Sequence, residues 1–147
     1  MPESLSSRAL KLLARREHSR AELARKLAEH AEDPAEVEKV LDDLEQRGWL
    51  SEKRVVEQMV YARRSRYGAR RIERDLRAKG VSGEAVASAM SGLKEGELDA
   101  ARDVWRRKFG GRVPRTPADR AKQARFLQGR GFDMEVVMKV IKGGDDD

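Results

Sequence analysis

The sequence predicts an all-α protein, built as three tandem three-helix repeats that stack into an elongated, curved strip. Three observations lead there. Apolar residues recur at helical spacing along nearly the whole chain, and no run of β-branched or aromatic residues alternates as a half-buried strand would. Capping and stopping residues stand at the ends of those stripes. The whole pattern then returns after about fifty residues.

The elements follow in order. Ala9, Leu12 and Leu13 mark the first helix. Leu23 and Leu27 mark the second, opened by Ser19 and Glu22 in a capping box, where a hydroxyl and a carboxylate satisfy orphan N–H groups. Val37, Val40, Leu41 and Leu44 give the third, which starts at Asp33-Pro34 and stops before Gly48. Val55, Val56, Met59 and Val60 predict a fourth, Ile72 and Leu76 a fifth that ends at Gly80, and Val86, Ala89, Met90 and Leu93 a sixth. Leu98, Ala101 and Trp105 share a face of the seventh, with Trp105 and Phe109 expected as core anchors. Thr116-Pro117 opens the eighth, which closes on Phe126 and Leu127 before Gly131. Val136, Val137, Val140 and Ile141 form the ninth.

The repeat is visible residue by residue. An offset of 49 places Ser19 on Gly68, Leu27 on Leu76 and Leu41 on Met90. An offset of 51 places Leu76 on Leu127, Gly80 on Gly131 and Val86 on Val137, so that LRAKGV (76–81) matches LQGRGF (127–132). The expected units are 1–50, 51–94 and 95–142, the last stretched by the loop GGRVPRT (110–116), with an acidic tail at 143–147 expected to be disordered. Units this small have little core of their own, so neighbours should share apolar faces.

Composition excludes several classes. The 147 residues contain no cysteine, which removes disulfides, Cys-ligated zinc and thiol nucleophiles. No apolar run is long enough for a membrane helix, and the first residues lack the apolar stretch of a signal peptide; a cytoplasmic protein with no membrane partner is expected. His18 and His30 flank one helix without ligand spacing, and both are expected to be ordinary surface or helix-end residues. Asp42-Asp43 reads as part of a solvated face, and no glycine-rich phosphate loop is present. The expectation is a binding protein, not an enzyme, with no catalytic residue, no metal and no cofactor.

Charge points to an anionic partner. Lys and Arg total 32 against 26 Asp and Glu, and the net charge runs from −2 over 1–50 through +3 over 51–100 to +5 over 101–147. The segment 61–80 carries Arg63, Arg64, Arg66, Arg70, Arg71, Arg74 and Arg77 around Tyr61 and Tyr67. On a helix starting near Gly68, Arg70, Arg74 and Arg77 fall within about 60° of one another, opposite Ile72 and Leu76. Guanidinium groups suit planar recognition of carboxylates or phosphates. Arg71 and Asp75 are spaced to pair at i,i+4. Tyr61 is expected in the core, whereas Tyr67, at a helix junction, either packs or stacks on a base. A second cluster adds Arg106, Arg107 and Arg125 as candidate contacts, among other basic residues of 102–125.

Three stretches resemble the RecX family, regulators of the recombinase RecA: HSRAELARKL (18–27), GWLSEKRVVEQMVYARRSRYGARRIERDLRAKGV (48–81) and RFLQGRGFDMEVVMKVI (125–141). The middle block carries the most specific pattern, a hinge at Gly48-Trp49-Leu50 followed by Gly68, Ile72, Leu76 and Gly80. After Leu50 the chain has Ser51-Glu52 where many relatives have Asp-Asp. The resemblance implies tandem three-helix repeats. It also implies a protein that binds the groove of RecA filaments and the single-stranded DNA within them, and inhibits ATP hydrolysis, strand exchange and co-protease activity; a monomer is expected because the stacked modules are self-sufficient. Weak direct DNA binding is compatible with it. The rival reading is a non-specific or helix-turn-helix-type DNA-binding protein, which base readout does not favour: the chain has no Asn, and its few Gln are scattered.

Overall fold

The computed structural model describes residues 3–143, and among them are nine α-helices and no strand. The first repeat holds α1 (Leu5–Arg15), α2 (Arg20–Ala28) and α3 (Pro34–Gln46). The second holds α4 (Glu52–Arg63), α5 (Ala69–Ala78) and α6 (Gly83–Glu95). The third holds α7 (Glu97–Phe109), α8 (Pro117–Gly129) and α9 (Met134–Gly143). The aspartates of the expected disordered tail lie outside the described residues.

Local chemistry sets the helix starts. The Ser19–Glu22 capping box forms, and Asp33 and Thr116 accept N–H bonds in front of their prolines. Ser51 caps α4 by accepting from the Arg54 N–H. Gly48, Gly80 and Gly131 turn out of their helices with φ of 80°, 79° and 95°, a region costly for any residue with a Cβ.

Each repeat closes on its own core. Leu27, Leu76 and Leu127, the positions matched by the repeat, are all fully buried, one in each cluster. Burying each leucine contributes about 1.5–3 kcal/mol. Trp105 is fully buried, and its indole N–H donates to Gln123 at 2.8 Å. Phe109 is partly buried and meets Phe126 edge-on, with centroids 5.5 Å apart.

The repeats join by a device used twice. At the first joint the Ser19 hydroxyl donates to the Lys79 carbonyl, and Ala21 packs on Gly80. At the second joint the Gly68 N–H donates to the Arg130 carbonyl at 2.8 Å and the Arg70 N–H to the Gly131 carbonyl at 3.1 Å. The N-terminus of each middle helix therefore meets the C-terminal turn of the next repeat's middle helix, donors onto orphan acceptors. This strings α2, α5 and α8 end to end. The accessible surface of 9650 Å² exceeds the roughly 7,600 Å² of a compact protein of this mass, as modules set in a row require.

Gly68 has no side chain to cap α5, and a glutamate from the next repeat supplies the acceptor. Glu97, the first residue of α7, accepts from the Ala69 N–H at 2.8 Å and from the Asp133 N–H at 3.2 Å. One carboxylate, 4% exposed, thus holds the starts of both α5 and α9.

Three expectations are corrected. Neighbouring repeats do not pool their apolar faces, since each buried cluster draws on one repeat alone. Tyr61 is 75% exposed instead of core, because it sits about 200° around α4 from buried Met59. His18 stands at the start of α2, directly before its N-cap Ser19, as expected, but it is buried and not at the surface. It can be buried because both ring nitrogens are satisfied: Nδ1–H donates to the Arg16 carbonyl at 3.0 Å and Nε2 accepts from the Lys26 ammonium at 2.9 Å.

Candidate functional site

The amphipathic split of α5 is as its spacing predicts. Ile72 and Leu76 are fully buried, while the side chains of Arg70, Arg74 and Arg77 are 74%, 68% and 58% exposed. Each guanidinium also meets an acid of this chain. Arg70 reaches Asp133 at 2.6 Å across the second joint, Arg74 lies 3.8 Å from Asp75, and Arg77 lies 3.3 Å from Glu73. Ion pairs this exposed are worth about 0–1 kcal/mol, so an incoming anion can replace the acids at little cost.

The other arginines of the middle repeat have structural neighbours. Arg63 ties α4 to α5 through Asp75, which Arg71 also approaches at 3.4 Å in the expected i,i+4 pair. Arg64 lies over the Tyr61 ring, 5.6 Å from its centroid. Tyr67 is half-buried against the core of the second repeat, and its ring carries the guanidiniums of Arg71 at 4.7 Å and Arg130 at 5.3 Å. The ring therefore positions the chain's own cations.

The candidates do not form one site. Arg66, Tyr67 and Arg107 meet in a cleft of 370 Å³ between the second and third repeats, together with Val104, Phe126, Lys108 and Arg130. Arg107 is oriented there by the carbonyls of Ser65 and Asp103. Arg106 pairs with Asp103 at 3.3 Å, and neither it nor Arg125, exposed on α8, lines the cleft. Reading the sequence alone missed Arg130. Its signal was present: the offset of 51 that relates LRAKGV to LQGRGF places Arg130 on Lys79, so a cation recurs just before each turning glycine.

Two titrating groups lie at the first joint. Burial pushes the Glu22 carboxyl up, but the hydrogen bond from Arg16, the Ser19 N–H and the charge of Lys79 outweigh it and hold the pKa at about 2. Burial lowers the pKa of His18, and the hydrogen-bond pattern is that of a neutral imidazole. Both groups are occupied in holding structure. Among the described residues, no cluster of His, Asp or Glu could hold a metal ion, and no helix is long and apolar enough to cross a membrane.

Comparison with known proteins agrees with this architecture. Models of the RecX first, second and third three-helix domains match residues 7–44, 51–90 and 95–141. A regulatory protein RecX of Leptothrix cholodnii is 51% identical over 142 residues, covering 97% of this chain and 90% of the relative. One from Ralstonia nicotianae is 48% identical over 144 residues, covering 98% and 90%. The crystal structure of RecX from Lactobacillus salivarius superposes with a TM-score of 0.83 at 16% identity, covering 96% of this chain and 94% of that one, and so shares the fold. With three family domains in order and close relatives matched along nearly its full length, the chain belongs to the RecX family of regulatory proteins.

Proposed function

We propose that this protein binds filaments of the recombinase RecA on single-stranded DNA and lowers their ATP hydrolysis, strand exchange and co-protease activity. It acts as a cytoplasmic monomer, by binding and without catalysing a reaction. The observation that carries this reading is the arginine face of α5, exposed on the central helix of three modules set in a row. A filament presents the same subunit surface repeatedly. Modest contacts from successive modules then add through effective concentration. Binding alters filament behaviour only if it favours one filament state over another, so the proposed ligand state is a poorly hydrolysing one.

The test is the ATPase rate of preformed RecA–single-stranded DNA filaments titrated with this protein. The reading expects the rate to fall and saturate. An unchanged rate at saturating protein rejects inhibition.

A further inference from the structure

The geometry points to the cleft between the second and third repeats as a binding site for the phosphodiester backbone of single-stranded DNA, separate from the arginine face of α5. Four cations, Arg66, Arg107, Lys108 and Arg130, line it, and among the described residues no carboxylate does. The nearby acid, Asp103, is engaged by Arg106 at 3.3 Å. Three of the four cations are held in place before any ligand arrives. Lys108 and Arg130 each lie 5.2 Å from the centroid of Phe126, Arg130 also rests on Tyr67, and Arg107 is fixed by the Ser65 carbonyl. Four like charges converging on one concave surface repel one another, and an anion there relieves that repulsion.

The shape favours a polymer over a small anion. Lys108 also lines a second cleft formed by the 110–116 loop, where Arg112, Arg115 and Lys122 stand against a single acid, Asp119. Lys108 belongs to both clefts, so the two basic surfaces adjoin on the third repeat. The loop that shapes the second cleft is anchored from below, since the buried Gln123 accepts from Trp105 and donates to the Arg112 carbonyl at 2.9 Å. On α5, by contrast, every cation faces an acid of this chain. A nucleic-acid strand offers evenly spaced phosphates and no cations, which suits a surface whose described lining sets one carboxylate against seven cations.

The proposal goes beyond the filament reading and is tested without recombinase. Fluorescence anisotropy of a labelled oligothymidylate is measured across a salt series for the full chain. The double variant Arg66→Gln, Lys108→Gln removes two exposed cations that have no acidic partner among the described residues, and circular dichroism checks that it stays folded. If each cation neutralises one phosphate, the slope of log K against log salt falls by about 1.4 and affinity at 0.1 M salt drops about 25-fold. The charge-keeping variant Arg66→Lys, Lys108→Arg should retain the wild-type slope. An unchanged slope in the glutamine variant overturns the proposal. So does an equal loss from Arg70→Gln, Arg74→Gln, Arg77→Gln, or displacement of the DNA by polyglutamate as readily as by unlabelled oligothymidylate. Loss of DNA binding with filament binding intact, or the reverse, separates this proposal from the filament reading.

Discussion

Replacing Glu97 by alanine should be among the most damaging single changes outside the apolar cores. The carboxylate is 4% exposed and accepts from two backbone N–H groups that belong to two different helices. Removal leaves the Ala69 N–H buried without an acceptor and the Asp133 N–H partly so. A buried donor left unsatisfied costs about 1–3 kcal/mol, and the favourable charge at each helix start adds about 0.3–1 kcal/mol. Water can reach the part-buried Asp133 site, so the expected total for Glu97→Ala is about 3 kcal/mol. Glu97→Gln keeps one acceptor oxygen but turns an N–H₂ toward a donor, for about half that loss. The assay is urea denaturation followed by far-UV circular dichroism. With a slope near 2 kcal/mol/M, the midpoint of Glu97→Ala should fall by about 1.5 M. Exposed Glu95→Ala, at the end of α6, should stay within about 0.5 kcal/mol of wild type. If Glu97→Ala does so as well, the carboxylate is not the anchor of the second joint.

Other consequences follow from the same geometry. Gly68→Ala places a Cβ against the Gly131 carbonyl and 2.5 Å from the Phe132 nitrogen, where only backbone can give way; a loss of about 1–3 kcal/mol is expected in thermal melts, more than for Gly92→Ala, whose Cβ meets open space. The pKa of Glu22 is depressed from 4.5 to about 2 in the fold, so its contribution is complete above pH 4.5 and disappears as pH falls toward 2. The shift corresponds to about 3 kcal/mol, and Glu22→Gln should flatten that part of the stability–pH curve. His18 behaves likewise at higher pH: its depressed folded pKa means that stability is lost as pH falls below 6.5, and its imidazole NMR signals should titrate below that value.

What the sequence made legible was local. A capping oxygen lies two or three residues from the N–H that it accepts, so Ser19, Asp33 and Thr116 could be read directly. The buried faces of α3, α5 and α9 followed from spacing alone. The joints were not legible, because Gly68 and Gly131 are 63 residues apart and their contact depends on how two finished modules dock. The repeat nevertheless carried the hint, since it placed Ser19 on Gly68 and Gly80 on Gly131, the same two sides of both joints. Tyr61 lies outside the core because its angular position on α4, about 200° from Met59, outweighs its aromatic character. The pairing of Arg70 with Asp133 was invisible for the same reason as the joints, and it shows that a row of arginines along a helix does not reveal which of them already have partners.

Co-sedimentation with RecA–single-stranded DNA filaments tests the central claim most directly, using the triple variant Arg70→Gln, Arg74→Gln, Arg77→Gln alongside the wild-type chain. The account predicts that the wild type pellets with filaments, and that the variant, folded by circular dichroism, stays in the supernatant at concentrations where the wild type is bound. A variant that pellets as the wild type does would contradict it.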